Sequence, residues 1–217
     1  MAERMRLTDD GLATLYSVEF NQYYHSVRGV LEESEKVYVG LGFQCKIKNN
    51  ECIDIFEMGL GTGFNVLMTV LAAQKEQVTV RYTSIEAFPI SSEDLALLNY
   101  PAKFDTNLFA QIHQAEWGEF VEIIPNFYLK KVKTTLQAFP SDTNYDVIYY
   151  DAFAPSSQPE LWTEEVFAKL FKMTKDSGVL TTYCSKSVVR KALEGAGYRV
   201  EKHPGPWGKR DVIRAVK

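Results

Sequence analysis

FEMGLGTGFN, residues 56–65, is the stretch that decides the fold of this 217-residue chain. A short apolar run ends at Glu57, three glycines follow at alternate positions, and a helical pattern of apolar residues comes directly after them. This succession predicts a β-strand, a tight turn and an α-helix. Glycine permits positive φ values and lets a ligand approach the backbone, and the first turn of a helix presents unpaired N–H groups. The stretch therefore predicts a binding turn for a nucleotide.

The spacing of the glycines narrows the choice of nucleotide. In the dinucleotide fingerprint the third glycine follows the second by three residues, whereas Gly63 follows Gly61 by two. This spacing, with Glu57 two residues before Gly59, is more typical of S-adenosylmethionine sites. On these residues alone, the alternative is a strand-to-helix connection that binds no ligand.

The composition is that of an ordinary globular protein, with 46% hydrophobic and 24% charged residues. The length suits one domain with a small extension. No apolar run approaches the roughly 20 residues that cross a bilayer, and MAERMRLTDD lacks the apolar core of a signal peptide. We therefore expect a cytoplasmic protein with no membrane partner. The scattered cysteines and histidines predict buried free thiols at Cys45, Cys52 and Cys184 and no metal site.

The net charge of −4 is unevenly distributed along the chain. Residues 181–217 carry nine lysines and arginines against three acids, which gives +6 there and −10 for the rest. A basic surface on an acidic protein is what selective docking of a polyanion needs. A solvated helix face followed by a basic tail is the alternative interpretation.

Short alternating runs precede the glycine turn. LATLYSVEF and KVYVGLGF predict strands or a hairpin, with GVLEESE between them as a turn or a short helix. We expect residues 1–50 to form a small β extension that packs on a core domain at 51–217 and walls a cleft. Four side chains are candidates for lining that cleft, with ordinary sheet packing as the alternative for each: Tyr16, Tyr23, Tyr24 and His25.

Two further strands are predicted to end at an acid on the same edge of a sheet. VTVRYTSIEAF is a β-rich run that reaches Glu86, where a carboxylate accepts hydrogen bonds from ribose hydroxyls. YDVIYYD is a continuous apolar run that stops at Asp151. Because ligands of parallel sheets lie outside the carboxyl ends of the strands, we expect both acids and Glu57 to face one cleft. Capping of the helix near Pro159 is the alternative role of Asp151.

The rest of the chain alternates helical and strand patterns without internal repeats. We predict a helix in SSEDLALLNY, mixed helix and loop at 101–118, a strand in NFYLKKVK and a short helix in TTLQAF. The helices LWTEEVFAKLFKMT and KSVVRKALEGAG flank a strand in GVLTTYCS, and YRVEKH and RDVIRAVK form a closing pair. This order predicts a single α/β domain with a mostly parallel sheet and an antiparallel strand near one edge.

Six motifs carry a resemblance to a known family. In chain order they are GLATLYSVEFNQYYHSVRGVLEESEKVYV, FEMGLGTGFN, SIEAFP, DAFAPSSQPELWT, SKSVVRKALEGAGYRVEK and GPWGKRDVIRA. From about Thr8 onward the sequence resembles the methyltransferase domain of the MnmC family, and DAFAPSSQPELWT is the most specific motif. Long members continue into a flavin-dependent oxidase domain. The chain resembles the stand-alone form, which lacks that domain.

The resemblance implies a class I, Rossmann-like methyltransferase with a mostly parallel seven-stranded sheet and S-adenosylmethionine as cofactor. Asp151 corresponds to the acid beside the methyl group. Lys130 and Lys131 stand near the place where many relatives carry a Gly-Asp pair that reaches the adenine, so backbone contacts are expected instead. The residues that the resemblance assigns to the cofactor are Glu57, Gly59, Gly61, Thr62, Gly63, Asn65, Glu86, Phe88 and Asp151.

The implied reaction is methylation of the 5-aminomethyl group of wobble uridine or 2-thiouridine in tRNA, with a separate enzyme supplying the aminomethyl precursor. An alkylamine has a pKa of ~10, so it is protonated at neutral pH and cannot attack a methyl group. Asp151 is the catalytic candidate, because a carboxylate there orients the amine and accepts a proton. The candidates for tRNA contact are Tyr16, Phe153, Pro155, Lys186, Arg190, Lys191, Lys209 and Arg210, with Trp207 or Tyr183 stacking on a base.

A methyltransferase that acts on small amines and three other classes of protein remain open on the residues alone. A polyamine synthase also combines a glycine turn, a ribose acid and a strand-end aspartate, but the basic C-terminal segment argues against it. A non-catalytic RNA-binding module predicts no cofactor binding, in spite of the three acids. A nicotinamide dehydrogenase is the weakest alternative, because the glycine spacing differs from the dinucleotide fingerprint.

Overall fold

An eight-stranded sheet is the centre of the computed structural model, which describes residues 4–49, 51–208 and 211–217, apart from the side chains of Asn49 and Trp207. The strands are β1 (Met5–Leu7), β2 (Ala13–Ser17), β3 (Gln22–Tyr23), β4 (Cys52–Met58), β5 (Thr79–Glu86), β6 (Phe120–Ile124), β7 (Phe127–Lys133), β8 (Tyr145–Tyr150), β9 (Thr174–Thr182), β10 (Arg199–Pro204) and β11 (Asp211–Val216).

The helices cover both faces of this sheet. The α-helices are α1 (Leu31–Glu33), α2 (Phe64–Glu76), α3 (Ser92–Leu95), α4 (Tyr100–Lys103), α5 (Thr106–Gln114), α6 (Glu164–Met173) and α7 (Ser187–Gly195). A π-helix (Ser34–Phe43) continues α1, and single 3₁₀ turns cover Ile47–Asn49, Pro159–Leu161 and Pro206–Gly208. Among the described residues, no helix combines the length and the apolar character that crossing a bilayer requires.

The order of the strands in the large sheet is β10-β11-β9-β8-β4-β5-β7-β6. The strands from β9 to β7 in this order run parallel, whereas β11 and β6 pair antiparallel with their neighbours. The predicted α/β fold with a mostly parallel sheet and an antiparallel closing strand is confirmed. The family resemblance implied seven strands, and β6 adds an eighth at one edge. The chain order reverses between β4 and β8, which is where ligands of such sheets bind.

The central strand β8 is buried along its whole length. Val147 and Tyr149 point to the side covered by the π-helix, α2 and α5, whereas Ile148 and Tyr150 point to the side covered by α6 and α7. The continuous apolar run in the sequence follows from this burial on both faces. β1, β2 and β3 form a separate antiparallel sheet over the edge at which β4 and β8 end.

The strand predicted in KVYVGLGF is wrong, because these residues belong to the π-helix. The helix packs on the sheet and α2, and it buries Val37, Tyr38, Val39 and Phe43. Its residues are apolar on most sides, so the sequence shows no clear helical period, and its β-branched residues favour a strand prediction. GVLEESE, predicted as a turn or short helix, contains α1 and leads into the π-helix.

Smaller differences concern the connections between the main elements. TTLQAF forms turns where a short helix was predicted, and SSEDLALLNY contains α3 and only the start of α4. Asn99 interrupts that segment, and its amide bonds the backbone of Gly11 and Ala13. All three cysteines are free, and Cys184 is buried as predicted. The predicted burial is wrong for Cys45, in the turn after the π-helix, and for Cys52, at the start of β4, which are both exposed.

Candidate active site

A cavity of about 520 Å³ opens where β4, β5 and β8 end. Its floor is the glycine turn after β4, and its sides are the segments that follow β5 and β8. The N-terminal extension supplies the opposite wall, which includes Tyr23, Tyr24 and His25, whereas Tyr16 is not among the lining residues. The volume lies in the range of small-molecule sites, about 300–1,000 Å³.

The glycine turn depends on positive φ values at Gly59 (92°), Gly61 (49°) and Gly63 (71°). At Gly59 there is a second constraint, because a Cβ atom would lie 2.9 Å from the carbonyl oxygen of Asp151. The absence of a side chain lets the ends of β4 and β8 approach each other. Gly59, Gly61 and Thr62 line the cavity, whereas Gly63 does not. A Cβ atom at Gly63 would lie 3.0 Å from the Nε2 atom of His113.

Two neutral histidines hold the glycine turn in place. The ring of His25 forms a 2.7 Å hydrogen bond with the Thr62 hydroxyl, and the Nε2 atom of His113 lies 3.1 Å from the Thr62 carbonyl oxygen. Burial lowers the pKa of both imidazoles to about 4. They are therefore uncharged at neutral pH, and they anchor the turn to the N-terminal extension on one side and to α5 on the other.

Glu86 lies at the end of β5 on the cavity wall. Its Oε2 atom accepts a hydrogen bond from the Gly61 amide at 3.0 Å, and its Oε1 atom accepts one from the Phe88 amide at 2.9 Å. A carboxylate has about four acceptor positions, so two remain for hydroxyl groups of a ligand. The Phe88 ring beside it is 48% exposed, which suits stacking on a flat ligand.

Asp151 follows β8 and faces the cavity between two donors. The Tyr38 hydroxyl donates to Oδ1 at 2.6 Å, and the Asn65 amide donates to Oδ2 at 2.8 Å. Burial raises the pKa of Asp151 to about 6, although both hydrogen bonds favour the charged form. The carboxylate is therefore oriented, and it titrates just below neutral pH.

The π-helix is the element that sequence reasoning missed in this site. Turns of a π-helix bring residues about four to five positions apart onto one side. The Ser34 hydroxyl donates a 2.7 Å hydrogen bond to the side-chain Oδ1 atom of Asn65 and so fixes the amide that reaches Asp151. Tyr38 reaches Asp151 directly. Glu33, immediately before this helix, also lines the cavity. The sequence signal for these residues is that GVLEESEKVYV belongs to one of the motifs that resemble the MnmC family.

Glu57 lies beneath the cavity and does not line it. It is 1% exposed, and the Ser84 hydroxyl donates to its Oε2 atom at 2.7 Å. Its Oε1 atom is buried without a hydrogen-bond partner among the described residues. Burial, together with the charge of Asp151, raises the pKa of Glu57 to about 8. Any contact of Glu57 with a ligand would therefore involve mostly its protonated form at neutral pH.

An aromatic cluster closes one side of the cavity. The ring of Phe20 stacks on Phe153 at 4.6 Å and meets Phe88 edge-on at 5.5 Å. The Gln22 side chain accepts hydrogen bonds from the Ala154 amide (3.2 Å) and the Ser157 hydroxyl (3.0 Å). These contacts dock the N-terminal extension onto the loop after Asp151.

The predicted tRNA contacts fall into two groups. Phe153 and Tyr183 line the cavity, whereas Pro155 and Tyr16 lie outside its lining. Lys186, Arg190 and Lys191 lie on or just before α7, away from the cavity lining, and Lys186 and Lys191 are exposed. Lys209, Arg210 and the side chain of Trp207 are outside the described residues. Arg28, which sequence reasoning did not select, is exposed at the cavity.

Residues 103–217 match the model of a family described as S-adenosyl-L-methionine-dependent methyltransferase. The chain belongs to this methyltransferase family. The match covers more than half of the chain and includes the strand that ends before Asp151 and the loop that follows it.

Curated relatives of this methyltransferase are bifunctional proteins named tRNA 5-methylaminomethyl-2-thiouridine biosynthesis bifunctional protein MnmC. The protein from Aromatoleum aromaticum is 30% identical over 224 residues, and the one from Cupriavidus metallidurans is 30% identical over 223 residues. These alignments cover 97% and 96% of this chain but only 35% and 33% of the relatives. The chain therefore spans about a third of the length of these relatives.

Solved structures confirm the fold of the methyltransferase. The crystal structure of MNMC2 from Aquifex aeolicus superposes with a TM-score of 0.81 at 21% identity, covering 99% of this chain and 70% of that one. Spermidine synthase from Thermotoga maritima superposes with a TM-score of 0.55 at 14% identity, covering 100% and 71%. At these identities the likeness concerns the fold alone.

The cavity fits the methyltransferase cofactor. S-adenosylmethionine carries a flat adenine, a ribose diol and a positively charged sulfur. The exposed Phe88 ring suits the flat adenine. The two remaining acceptor positions of Glu86 suit the ribose diol, and the acids Asp151 and Glu33 suit the positively charged sulfur. The bare backbone at Gly59 and Gly61 leaves room for close contact on the floor.

Proposed function

We propose that this methyltransferase acts on the 5-aminomethyl group of wobble uridine or 2-thiouridine in tRNA and produces the 5-methylaminomethyl form. The observation that carries the proposal is the carboxylate of Asp151, which is buried and oriented by two hydrogen bonds. It lines a cavity that fits the cofactor, where the order of the strands reverses between β4 and β8. The names of the MnmC relatives supply the substrate class. The reaction needs a tRNA whose wobble uridine already carries the aminomethyl group.

Asp151 acts on the amine of the substrate. S-adenosylmethionine supplies a methyl group whose bond to sulfur breaks as the bond to nitrogen forms. Tyr38 and Asn65 fix both oxygens of Asp151, so the carboxylate holds an ammonium group in one position and orients its nitrogen. Positioning of this kind supplies a large part of the acceleration in reactions between two bound molecules.

The cofactor contacts divide among the predicted residues. We assign the ribose hydroxyls to Glu86 and the adenine face to Phe88. Backbone groups of Gly59, Gly61 and Thr62 hold the remainder of the molecule, and Asn65 acts through Asp151. Gly63 supports the turn, and Glu57 lies below it as a neutral acid.

Lys131 is assigned a structural role instead of adenine binding. It is 1% exposed, its Nζ atom donates to the His113 carbonyl oxygen at 2.7 Å, and it lies over the Trp117 ring at 5.0 Å. It is not a lining residue of the cavity. Lys130 lies over the Phe120 ring at 5.7 Å. Adenine selection therefore falls to backbone groups and Phe88.

We assign tRNA binding to two surfaces. Arg28, Phe153 and Tyr183 at the cavity receive the wobble nucleotide, and Tyr16 and Pro155 flank that region. The basic surface, defined as Lys186, Arg190 and Lys191, binds phosphates. Lys209 and Arg210, which lie outside the described residues, stay predicted phosphate contacts. The extension at 1–50 forms the wall of the cavity opposite the segments that follow β5 and β8, and the domain at 51–217 holds the cofactor.

The basic surface is tested by salt dependence. Replacing Lys186 and Lys191 with alanine should weaken tRNA binding and reduce the slope of log affinity against log salt by about 0.7–0.9 for each lost phosphate contact. Lys172→Ala, an exposed lysine on α6, is the matched control. An unchanged slope in the double variant assigns these lysines to an ordinary solvated helix face.

Aminopropyl transfer is the second candidate function, because the fold also matches a spermidine synthase and three acids line the cavity, Glu33, Glu86 and Asp151. Equal amounts of labelled S-adenosylmethionine and labelled decarboxylated S-adenosylmethionine are offered with tRNA lacking the final methyl group and with diamines. Label transferred from S-adenosylmethionine to tRNA supports methylation. Label transferred from the decarboxylated form to a diamine overturns it.

A further inference from the structure

Glu33 is a third carboxylate in the active-site cavity, beside Glu86 and Asp151. It is the last residue of α1 and lines the cavity with Asp151 and Tyr183. No group in the described part of the chain donates a hydrogen bond to its side chain or forms an ion pair with it. A partly buried carboxylate without a partner is costly to the fold, so a role toward a ligand is expected.

Glu33 and Asp151 have different surroundings. Both oxygens of Asp151 already accept hydrogen bonds, from Tyr38 at 2.6 Å and from Asn65 at 2.8 Å. Glu33 keeps all of its acceptor positions for the substrate. Burial, and then the charge of Asp151, raise the pKa of Glu33 to about 8, whereas burial raises that of Asp151 to about 6. Paired acids with separated pKa values commonly divide the roles of charge stabiliser and proton carrier.

We propose that Glu33 is the base that takes a proton from the substrate ammonium group while Asp151 orients the amine. This inference rests on the proposed function. The proton passes from the substrate nitrogen to a carboxylate oxygen of Glu33, which becomes neutral, and the electron pair stays on the nitrogen for attack on the methyl carbon. Glu33 then releases the proton to solvent, so each turnover liberates one proton.

The charged and titratable groups around Glu33 agree with this role. Asp151 faces it from the end of β8, Tyr38 from the π-helix and Tyr183 from the segment after β9. The pKa of both tyrosines is raised well above its ordinary value by burial, so they stay neutral. A pKa of about 8 leaves Glu33 mostly protonated at neutral pH in the free protein. The positive charge of a bound ammonium group lowers that pKa, so Glu33 ionises when the substrate binds and pairs with the ammonium group beside Asp151.

Two readouts test the role of Glu33 in Glu33→Gln, with Glu33→Asp as the conservative variant. Glu35→Gln is the matched control, because Glu35 is an exposed acid two residues further on, in the π-helix that follows α1. The first readout is binding without cofactor, comparing tRNA that carries the 5-aminomethyl group with tRNA that has an unmodified wobble uridine. The second is the single-turnover rate of methylation from pH 6 to 10.

We expect Glu33→Gln to lose about tenfold of the preference for aminomethyl tRNA, because a charge-assisted hydrogen bond is lost. Its rate at pH 7 should fall about 10²-fold, and the deficit should shrink toward pH 10, where solvent deprotonates the amine. Glu33→Asp should recover part of both losses, and Glu35→Gln should behave as wild type.

Two failures are distinguishable. If the wild-type protein does not methylate aminomethyl tRNA, the proposed function fails. If it does, but Glu33→Gln keeps the wild-type preference or shows a rate deficit that is the same at every pH, Glu33 is not the base. A far-UV circular dichroism spectrum equal to that of the wild type shows that the variant is folded.

Discussion

Replacing Asp151 with asparagine should abolish most turnover and raise the stability of the protein at neutral pH. Burial holds the pKa of Asp151 at about 6 in the folded protein, against an ordinary value of 3.8. A difference of roughly two pH units corresponds to about 3 kcal/mol at ~1.4 kcal/mol per unit. This is the cost to folding of keeping the carboxylate charged above pH 6.

The asparagine recovers most of this cost. Its carbonyl oxygen accepts from Asn65, while its amide must donate to the Tyr38 hydroxyl in place of the bond seen in the wild type. We assign about 1 kcal/mol to that imperfect exchange, which leaves a gain of about 2 kcal/mol. For a chain of this length the expected rise in Tm is about 4–8 °C.

The pH dependence gives the sign of the effect. Below pH 3.8 Asp151 is protonated in both states, so its ionisation does not favour the variant. Between about pH 4 and 6 the unfolded wild type loses its proton while the folded form retains it, and the advantage of the variant grows to its plateau.

The assay is chemical denaturation at pH 4, 5, 6 and 7.5, combined with methyl-transfer rates at pH 7.5. Asp176→Asn is the control, since Asp176 is exposed in β9, and its change should lie within about 0.5 kcal/mol. A variant less stable than wild type at pH 7.5, an advantage that persists unchanged at pH 4, or wild-type turnover contradicts the reasoning.

Three further changes test the cofactor site. Gly59→Ala should lower the free energy of unfolding by about 2–4 kcal/mol, because it combines a φ of 92° with a Cβ 2.9 Å from the Asp151 carbonyl oxygen. Gly118→Ala is the control: its φ is 95°, but a Cβ there meets no atom within 4 Å, so its denaturation measures the backbone strain without the steric clash. Glu86→Gln should reduce S-adenosylmethionine affinity about tenfold in calorimetry, since a charged acceptor is lost; equal affinity excludes it as the ribose acid. Phe88→Ala should also weaken S-adenosylmethionine affinity about tenfold, without lowering Tm, since the Phe88 ring is 48% exposed. A lower Tm with unchanged affinity would assign the Phe88 ring to packing.

The sequence predicted the parts of the site that depend on strand ends. Glu86 and Asp151 could be selected because each follows a β-rich run, and parallel strands end on one edge of the sheet. The glycine turn was recognisable from its spacing. The same reasoning placed Glu57 in the cleft, but it could not show that the side chain points below the turn, where Ser84 binds it.

The parts that the sequence did not predict depend on tertiary contacts. The π-helix has no 3.6-residue period to detect, so Glu33, Ser34 and Tyr38 were not recognised as neighbours of Asp151. The bonds that hold Thr62 come from His25 and His113, which are distant in the sequence. No local pattern encodes such pairings, and only the packing of the N-terminal extension and α5 against the turn brings them together.

Nucleoside analysis of a defined substrate tests the central claim most directly. tRNA bearing 5-aminomethyl uridine or 2-thiouridine at the wobble position is incubated with the protein and methyl-labelled S-adenosylmethionine, then digested to nucleosides and separated by chromatography with mass detection. The account predicts one added methyl group and the label on the wobble nucleoside, and loss of both in Asp151→Asn. An unchanged wobble nucleoside with the label in small amines would contradict it.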